Sequence, residues 1–350
     1  MPKMKPGATT PDEPTEETAP AETSAPVTKT RAKAPAKAAK PQKLGSLFTA
    51  FDDTTEHLNV LYWGREGSGK TSALAAATQL GKVLVINVEG GLKRHALQSQ
   101  GINTTNLIVY PQPGEPITYD GILQAAFQIK ADLMEDPNAW YLVVIDSITE
   151  LNQLFTDAAS DSRISKMEAN GNGRTLTLLD QMFVDRSDYG VSTNMLRKLI
   201  RIFRDLPVHF AMTALERRDV DEDTSKVAYG PAVSPAIQNS ILGYVDVVLY
   251  CKAADEDRPY FRALSKKVGT ARAKDRLNVI PDVLVNPSFP RLVAYNAEEL
   301  TEQTDPVQQI LLAAAKPQPK PKAKPRTRRP APAPVASPET TPDTNENNNK

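Results

Sequence analysis

The sequence predicts an α/β fold, a mostly parallel sheet covered by helices on both faces. Three observations carry that expectation. Short apolar runs such as VLVI and YLVVI alternate with longer segments of helical periodicity, from about residue 44 to about residue 312. The runs lack a polar residue at every second position, as strands buried on both faces do. A glycine-rich turn, GREGSGKT at 64–71, follows the first apolar run and opens the first helical segment.

The elements follow in order. HLNVLYW reads as a strand, and SALAAATQL, built of strong helix formers, as the helix after the turn. KVLVINVEGG is a second buried strand ending in a turn, GILQAAFQIKADLM a helix, and WYLVVIDS a third strand. MLRKLIRIFRDL has the apolar spacing of an amphipathic helix, and PVHFAMTALE is a fourth strand. YVDVVLYCK and YFRALSKKV are further strands, expected to pair antiparallel because only ADEDRP separates them. The chain shows no internal repeat.

The flanks differ in composition. Residues 1–43 are rich in Pro, Ala, Lys, Thr and Glu, and residues 313–350 in Pro, Lys and Arg. Such segments bury too little apolar surface to offset their ordering entropy and read as disordered tails around one domain at 44–312. Their basic stretches read equally as nucleic-acid contacts and as solvated linkers. The 42 basic residues balance the 42 acidic ones, so any attraction to nucleic acid is local. The single cysteine, Cys251, excludes an internal disulfide framework and reads as a buried structural thiol of a reducing compartment. With no secretory signal and no apolar run of the ~18–20 residues that span a bilayer, a soluble cytoplasmic protein is expected.

GREGSGKT fits the phosphate-binding loop pattern. Its expected nucleotide-binding residues are Gly64, Arg65, Glu66, Gly67, Ser68, Gly69, Lys70 and Thr71, with Ser72 next in the helix. The glycines let backbone N–H groups turn toward phosphate, and Lys70 reaches the β- and γ-phosphates as a point charge. The Thr71 hydroxyl coordinates Mg²⁺, so ATP and Mg²⁺ are the cofactors implied. Arg65 and Glu66 supply backbone alone. Asp146 closes YLVVID at the carboxyl end of a buried strand expected beside that of the loop, where it would organise the Mg²⁺ water shell. Hydrolysis also needs a group that positions or deprotonates water. Glu89, at the end of the second strand, is the first candidate for it, and Glu150, in DSITE, the second.

GREGSGKT, VLVINVEGG, VVIDSITEL and HFAMTALE occur in the order of the RecA-like ATPase core. The set resembles the phage-encoded RecA-like P-loop proteins of single-strand annealing and recombination, over roughly residues 44–300. That resemblance implies a RecA-like P-loop NTPase core, ATP and Mg²⁺, assembly into a homo-oligomeric ring or filament, and single-stranded DNA as partner. Single-strand-binding or recombination proteins are further partners it suggests, in a bacterial host cytoplasm. It gives Lys70 and Thr71 the phosphate and metal roles, Glu89 that of the activating glutamate and Asp146 that of the Mg²⁺-organising aspartate. Thr213 falls where such cores carry a γ-phosphate sensor.

LSKKVGTARAKDR at 264–276 gathers basic residues around Gly269. Lys267, Arg272 and Lys274 are read either as contacts to the nucleotide of a neighbouring subunit or as contacts to DNA phosphates. Two long loops are expected on the DNA side. The first, at 156–190, offers Arg163, Lys166, Arg174, Phe183, Arg186 and Tyr189. The second offers Arg217, Arg218, Lys226 and Tyr229. His57, His95 and His209 have no ligand spacing, and Trp63 and Trp140 read as core. A DNA-coupled ATPase is the reading preferred; a helicase or packaging motor, a small-molecule kinase and a nucleotide-gated binding module stay open.

Overall fold

The computed structural model describes residues 56–170, 183–220, 227–256 and 258–314. The expectations for residues 1–43, for the tail beyond 314, and for Arg174 and Lys226 lie outside the described residues.

The loop strand β1 (Asn59–Gly64) leads into helix α1 (Lys70–Ala75), which tightens into a 3₁₀ turn at Ala76–Gln79. The second strand, β2 (Val83–Asn87), is followed by α2 (Arg94–Ser99), β3 (Leu107–Tyr110) and α3 (Tyr119–Glu135). The third expected strand is β4 (Leu142–Asp146), followed by α4 (Ile148–Asn170) and α5 (Arg186–Arg204). Then come β5 (His209–Val220), β6 (Val227–Pro231), α6 (Pro235–Tyr244) and β7 (Val247–Lys252). Short strands β8 (Arg262–Leu264), β9 (Lys274–Asp275) and β10 (Val283–Val285) precede α7 (Phe289–Asn296) and α8 (Pro306–Ala314).

Strand order in the sheet is β10-β8-β7-β1-β5-β4-β2-β3, with β6 paired to β5 and β9 to β7. From β7 to β3 every pairing is parallel, while β7–β8 and β8–β10 are antiparallel. The apolar runs therefore divide by alternation. Leu61, Trp63, Val143 and Ile145 face α3, α4, α5 and α6, while Val60, Tyr62, Leu142 and Val144 face α1 and α7. Burial on both sides explains the absence of polar alternation.

Three expectations need correction. The strand of Asp146 does not lie beside that of the loop, because β5 is inserted between β4 and β1. The expected loop at 156–190 is largely helical: α4 runs to Asn170, and α5 starts at Arg186 under a capping box of Asp185 and Asp188. The polar surface of α4 hides a buried stripe of Ile148, Leu151, Phe155, Ala159 and Ile164, and its Thr156 hydroxyl meets that of Ser192 on α5 at 3.0 Å. Much of the second expected loop is an antiparallel strand pair, in which Arg217 lies opposite Gly230 and Arg218 opposite Tyr229 on β5 and β6.

His209 begins β5 with its Nδ1 accepting the Leu58 N–H at 2.9 Å, its ring packed against His57, Tyr141 and Phe289. Burial, reinforced by His57, lowers its pKa from 6.5 to about 4. Its neutral form thus contributes stability that is present above about pH 6.5 and lost as pH falls toward about 4. Chemical denaturation across that window should show His209→Asn losing less stability than the parent, by about 2–3 kcal/mol. Equal losses would exclude the histidine as the titrating group.

Gly64 closes β1 against β7, where an added Cβ would lie 2.2 Å from the Cys251 carbonyl oxygen. A backbone carbonyl cannot swing aside as a side chain does. Gly64→Ala should cost at least about 2 kcal/mol in urea denaturation. Gly67→Ala, with a φ of +68° but nothing within 4 Å, should cost about 1 kcal/mol.

Candidate nucleotide-binding site

The loop from Gly64 to Thr71 crosses the carboxyl edge of the sheet between β1 and α1. Gly67 and Gly69 take positive φ, +68° and +78°, which turns the loop back on itself. Buried Ser68 holds that turn, its hydroxyl donating to the Arg65 carbonyl at 2.7 Å. Lys70 is 7% exposed, and its ammonium donates to the Gly64 and Arg65 carbonyls at 3.0 and 2.9 Å. The charge is thereby held at the mouth of the loop. Arg65 and Glu66 are exposed, and Arg65 Nε lies 3.5 Å from Glu216. Ser72 stands half-buried in the first turn of α1.

Asp146 is 2% exposed at the end of β4 and joins four parts of the chain. Its Oδ2 accepts the Thr71 hydroxyl at 2.8 Å, and its Oδ1 accepts the Thr213 hydroxyl from β5. Its carbonyl accepts the N–H groups of Val88 and Glu89 at 2.7 and 3.0 Å. The strand inserted between β4 and β1 thus supplies a hydroxyl to the carboxylate, and Thr213 is engaged with Asp146. The peptide between Asp146 and Ser147 is cis. Thr149, which sequence reasoning passes over, accepts the Leu215 N–H at 3.0 Å and ties the start of α4 to β5.

Anchored by that carbonyl, Glu89 stands exposed at the edge. Partial desolvation and then the Asp146 carboxylate raise its pKa above the ordinary carboxylate value, with Glu150 adding and Ser147 and Lys70 opposing. A carboxylate poised in this way is the better proton acceptor at neutral pH. The structure therefore gathers Lys70, Thr71, Asp146, Thr213 and Glu89 at one edge, with Glu150 near Glu89.

These residues suit a nucleotide triphosphate with Mg²⁺. No group of three or more His, Cys, Asp or Glu able to hold a metal is present among the described residues. Mg²⁺ commonly takes one or two protein oxygens and completes its shell with phosphates and water. Thr71 and Asp146, in direct contact, would hold it, and the bound ion would supply charge neutralisation at the phosphates.

The basic residues of the 264–276 segment are less uniform. Lys267, Arg272 and Lys274 line one cavity of about 550 Å³ with Asn239 and Thr270. Lys267 is exposed there. Arg272 donates to the Asn239 side chain at 2.9 Å. The Lys274 ammonium donates to the Leu242 and Val245 carbonyls at the end of α6, at 2.6 and 2.8 Å, and burial lowers its pKa. Arg163 is likewise engaged, by buried Asp188 at 3.0 Å. Phe183 and Tyr189 are 64% and 51% exposed.

Trp63 is fully buried, stacked on Tyr250 at 4.2 Å, and Trp140 is half-buried. The Cys251 thiol is buried and its pKa pushed up to about 12, the state of an unreactive thiol. No described helix is long and apolar enough to cross a membrane. Phe261, also outside the reach of sequence reasoning, lays its ring against the loop: an added Cβ at Gly69 would stand 3.1 Å from Phe261 Cδ1.

A family model described as an AAA domain matches residues 56–277. No curated protein matches the chain. The match spans the loop, Glu89, Asp146, Thr213 and the basic segment, well over half of the 350 residues. The chain belongs to the AAA domain family, and its fold is that of a nucleotide-binding P-loop ATPase.

Proposed function

We propose that the protein hydrolyses ATP and couples that cycle to single-stranded DNA, in phage recombination or annealing within the bacterial host cytoplasm. The observation that carries the hydrolytic half is the convergence on Asp146. Its carboxylate touches Thr71, while its carbonyl fixes the backbone of Glu89. Lys70 and Thr71 bind the phosphates and the metal-bearing side of the nucleotide. Glu89 orients water and takes its proton, and its raised pKa favours that transfer.

The DNA half is supported by surface chemistry. Exposed Phe183 and Tyr189 offer base-stacking faces near exposed Lys166 and Arg186, and Arg217 and Arg218 extend from the sheet on the β5–β6 hairpin. Lys267 and Arg272 serve either DNA phosphates or the nucleotide of a neighbouring subunit in a ring or filament. Single-strand-binding or recombination proteins are the further partners of such a role.

ATP turnover with and without single-stranded DNA tests the reading, with Lys70→Ala as the blank. DNA should stimulate the parent and not the variant. Turnover indifferent to DNA would remove the coupling, and its absence under both conditions would favour a nucleotide-gated binding module.

Glu89→Gln should lower turnover by on the order of a hundredfold while ATP binding persists. The raised pKa also sets a pH dependence. As pH falls, Glu89 protonates earlier than an ordinary carboxylate, so the acid limb of the turnover profile should have its midpoint above 4.5. A profile flat to that value, or full activity in Glu89→Gln, would show that another group handles the water.

A further inference from the structure

Strand β5 reaches the nucleotide site at two points. Thr213 meets Asp146, and Glu216, further along the strand, lies beside the phosphate loop. The strand changes neighbours at this second point. Leu215 is its last residue paired to β1, opposite Gly64, and Glu216 is its first paired to β6, opposite Pro231. Exposed Arg217 and Arg218 follow directly.

The Glu216 side chain is 10% exposed, and its two oxygens have different partners. Oε2 accepts the Tyr250 hydroxyl from β7 at 2.8 Å, while Oε1 lies 3.5 Å from Arg65 Nε. Burial, and then the bond to Glu216, push the Tyr250 pKa well above its ordinary value, so the phenol keeps its proton and stays the donor. The Tyr250 ring in turn stacks flat on Trp63, the residue before Gly64. One oxygen of Glu216 is therefore fixed to the sheet, and the other faces the loop.

The contact to the loop is the weak one. Arg65 is 80% exposed, and its distance from Glu216 is longer than that of a good charge-assisted hydrogen bond. A cavity of about 600 Å³ adjoins the pair, lined by Arg65 from the loop and by Glu216 and Tyr229 from β5 and β6. A nucleic-acid phosphate at that edge is a better partner for a guanidinium, because two parallel N–H···O bonds can form. Arg65 also bears on Lys70, whose ammonium donates to the Arg65 carbonyl at 2.9 Å. That ammonium has to leave the carbonyl to reach the phosphates of a nucleotide.

We infer that Glu216 couples the β5–β6 pair to the phosphate loop through Arg65. It holds Arg65 while the pair is empty and yields it to a DNA phosphate bound there, which loosens the hold of the Arg65 carbonyl on Lys70. Arg65 thus acts through its side chain as well as its backbone, and Glu216 is a positioning residue. The inference rests on the ATP and single-stranded DNA reading above and names the contact by which one ligand is felt at the site of the other.

Calorimetric binding of a non-hydrolysable ATP analogue with Mg²⁺ to the full chain, with and without oligo(dT), tests it. DNA should tighten the analogue in the parent by up to about fivefold, the most that a pair of this exposure can carry. Glu216→Gln keeps an oxygen for the Tyr250 hydroxyl and removes the charge facing Arg65. This variant should bind the analogue without DNA about as tightly as the parent does with DNA, and DNA should then change its affinity by less than about 1.5-fold. Damage to the fold would weaken the analogue instead. Arg65→Ala should also abolish the DNA effect, and adding it to Glu216→Gln should change nothing further. An unchanged DNA effect in Glu216→Gln, or weaker analogue binding by it, would overturn the coupling and leave the ATPase reading standing. A parent in which the two ligands bind without affecting each other would overturn this inference alone. A parent that binds no DNA would overturn it together with the DNA half of the proposed function.

Discussion

Asp146 is nearly inaccessible; its two carboxylate oxygens accept hydrogen bonds from α1 and β5, and its backbone carbonyl accepts two from the turn after β2. A buried carboxylate without partners would be costly, so its donors have to stay in place for the charge to stay there. That requirement holds α1 and β5 to the carboxylate, and the Val88 and Glu89 bonds to the Asp146 carbonyl hold a third segment to the same edge. The Thr71 hydroxyl cannot drift from β4, and the backbone of Glu89 cannot drift from Asp146. Thr213, one residue past the β4–β5 pairing at Met212, fills the gap left by the inserted strand.

The loop depends on a second constraint of a different kind, close approach of backbones. Gly64 has a carbonyl of β7 where any side chain would begin, and Gly69 has an aromatic ring there. The first contact sets the height of the loop above the sheet, and the second places Phe261 beside it. Lys70 then finds the Gly64 and Arg65 carbonyls within reach of its ammonium. Electrostatics at the site are therefore consequences of packing one layer below. Partial desolvation at this edge, and then the Asp146 carboxylate, raise the pKa of Glu89.

Much of this was legible in the sequence, for a physical reason. The loop works by spacing along the chain, so GREGSGKT reveals it directly. Asp146 and Glu89 sit where apolar runs end, and doubly buried parallel strands present their carboxyl ends to one edge. Strand order was not legible, because nothing local in HFAMTALE says that β5 enters between β4 and β1. The polar faces of α4 hid a helix in what reads as a loop. A tally of basic residues could not reveal that Lys274 and Arg163 are already engaged by carbonyls and by Asp188. Phe261 meets Gly69 through the tertiary fold alone, and its place in the run YFRALSKKV gives no signal of that contact.

Asp146 holds the site together, and on the proposed function it also serves the chemistry there. Asp146→Asn keeps the shape and the backbone carbonyl but puts a donor where an acceptor meets Thr71 or Thr213. The direct measurement is steady-state Mg-ATP turnover of this variant, with ATP binding and thermal unfolding followed on the same protein. Asp146→Asn should fold and still bind ATP while losing turnover by on the order of a hundredfold or more. Turnover at the parent's level in a folded Asp146→Asn would contradict it, and would place the metal-side chemistry on another residue.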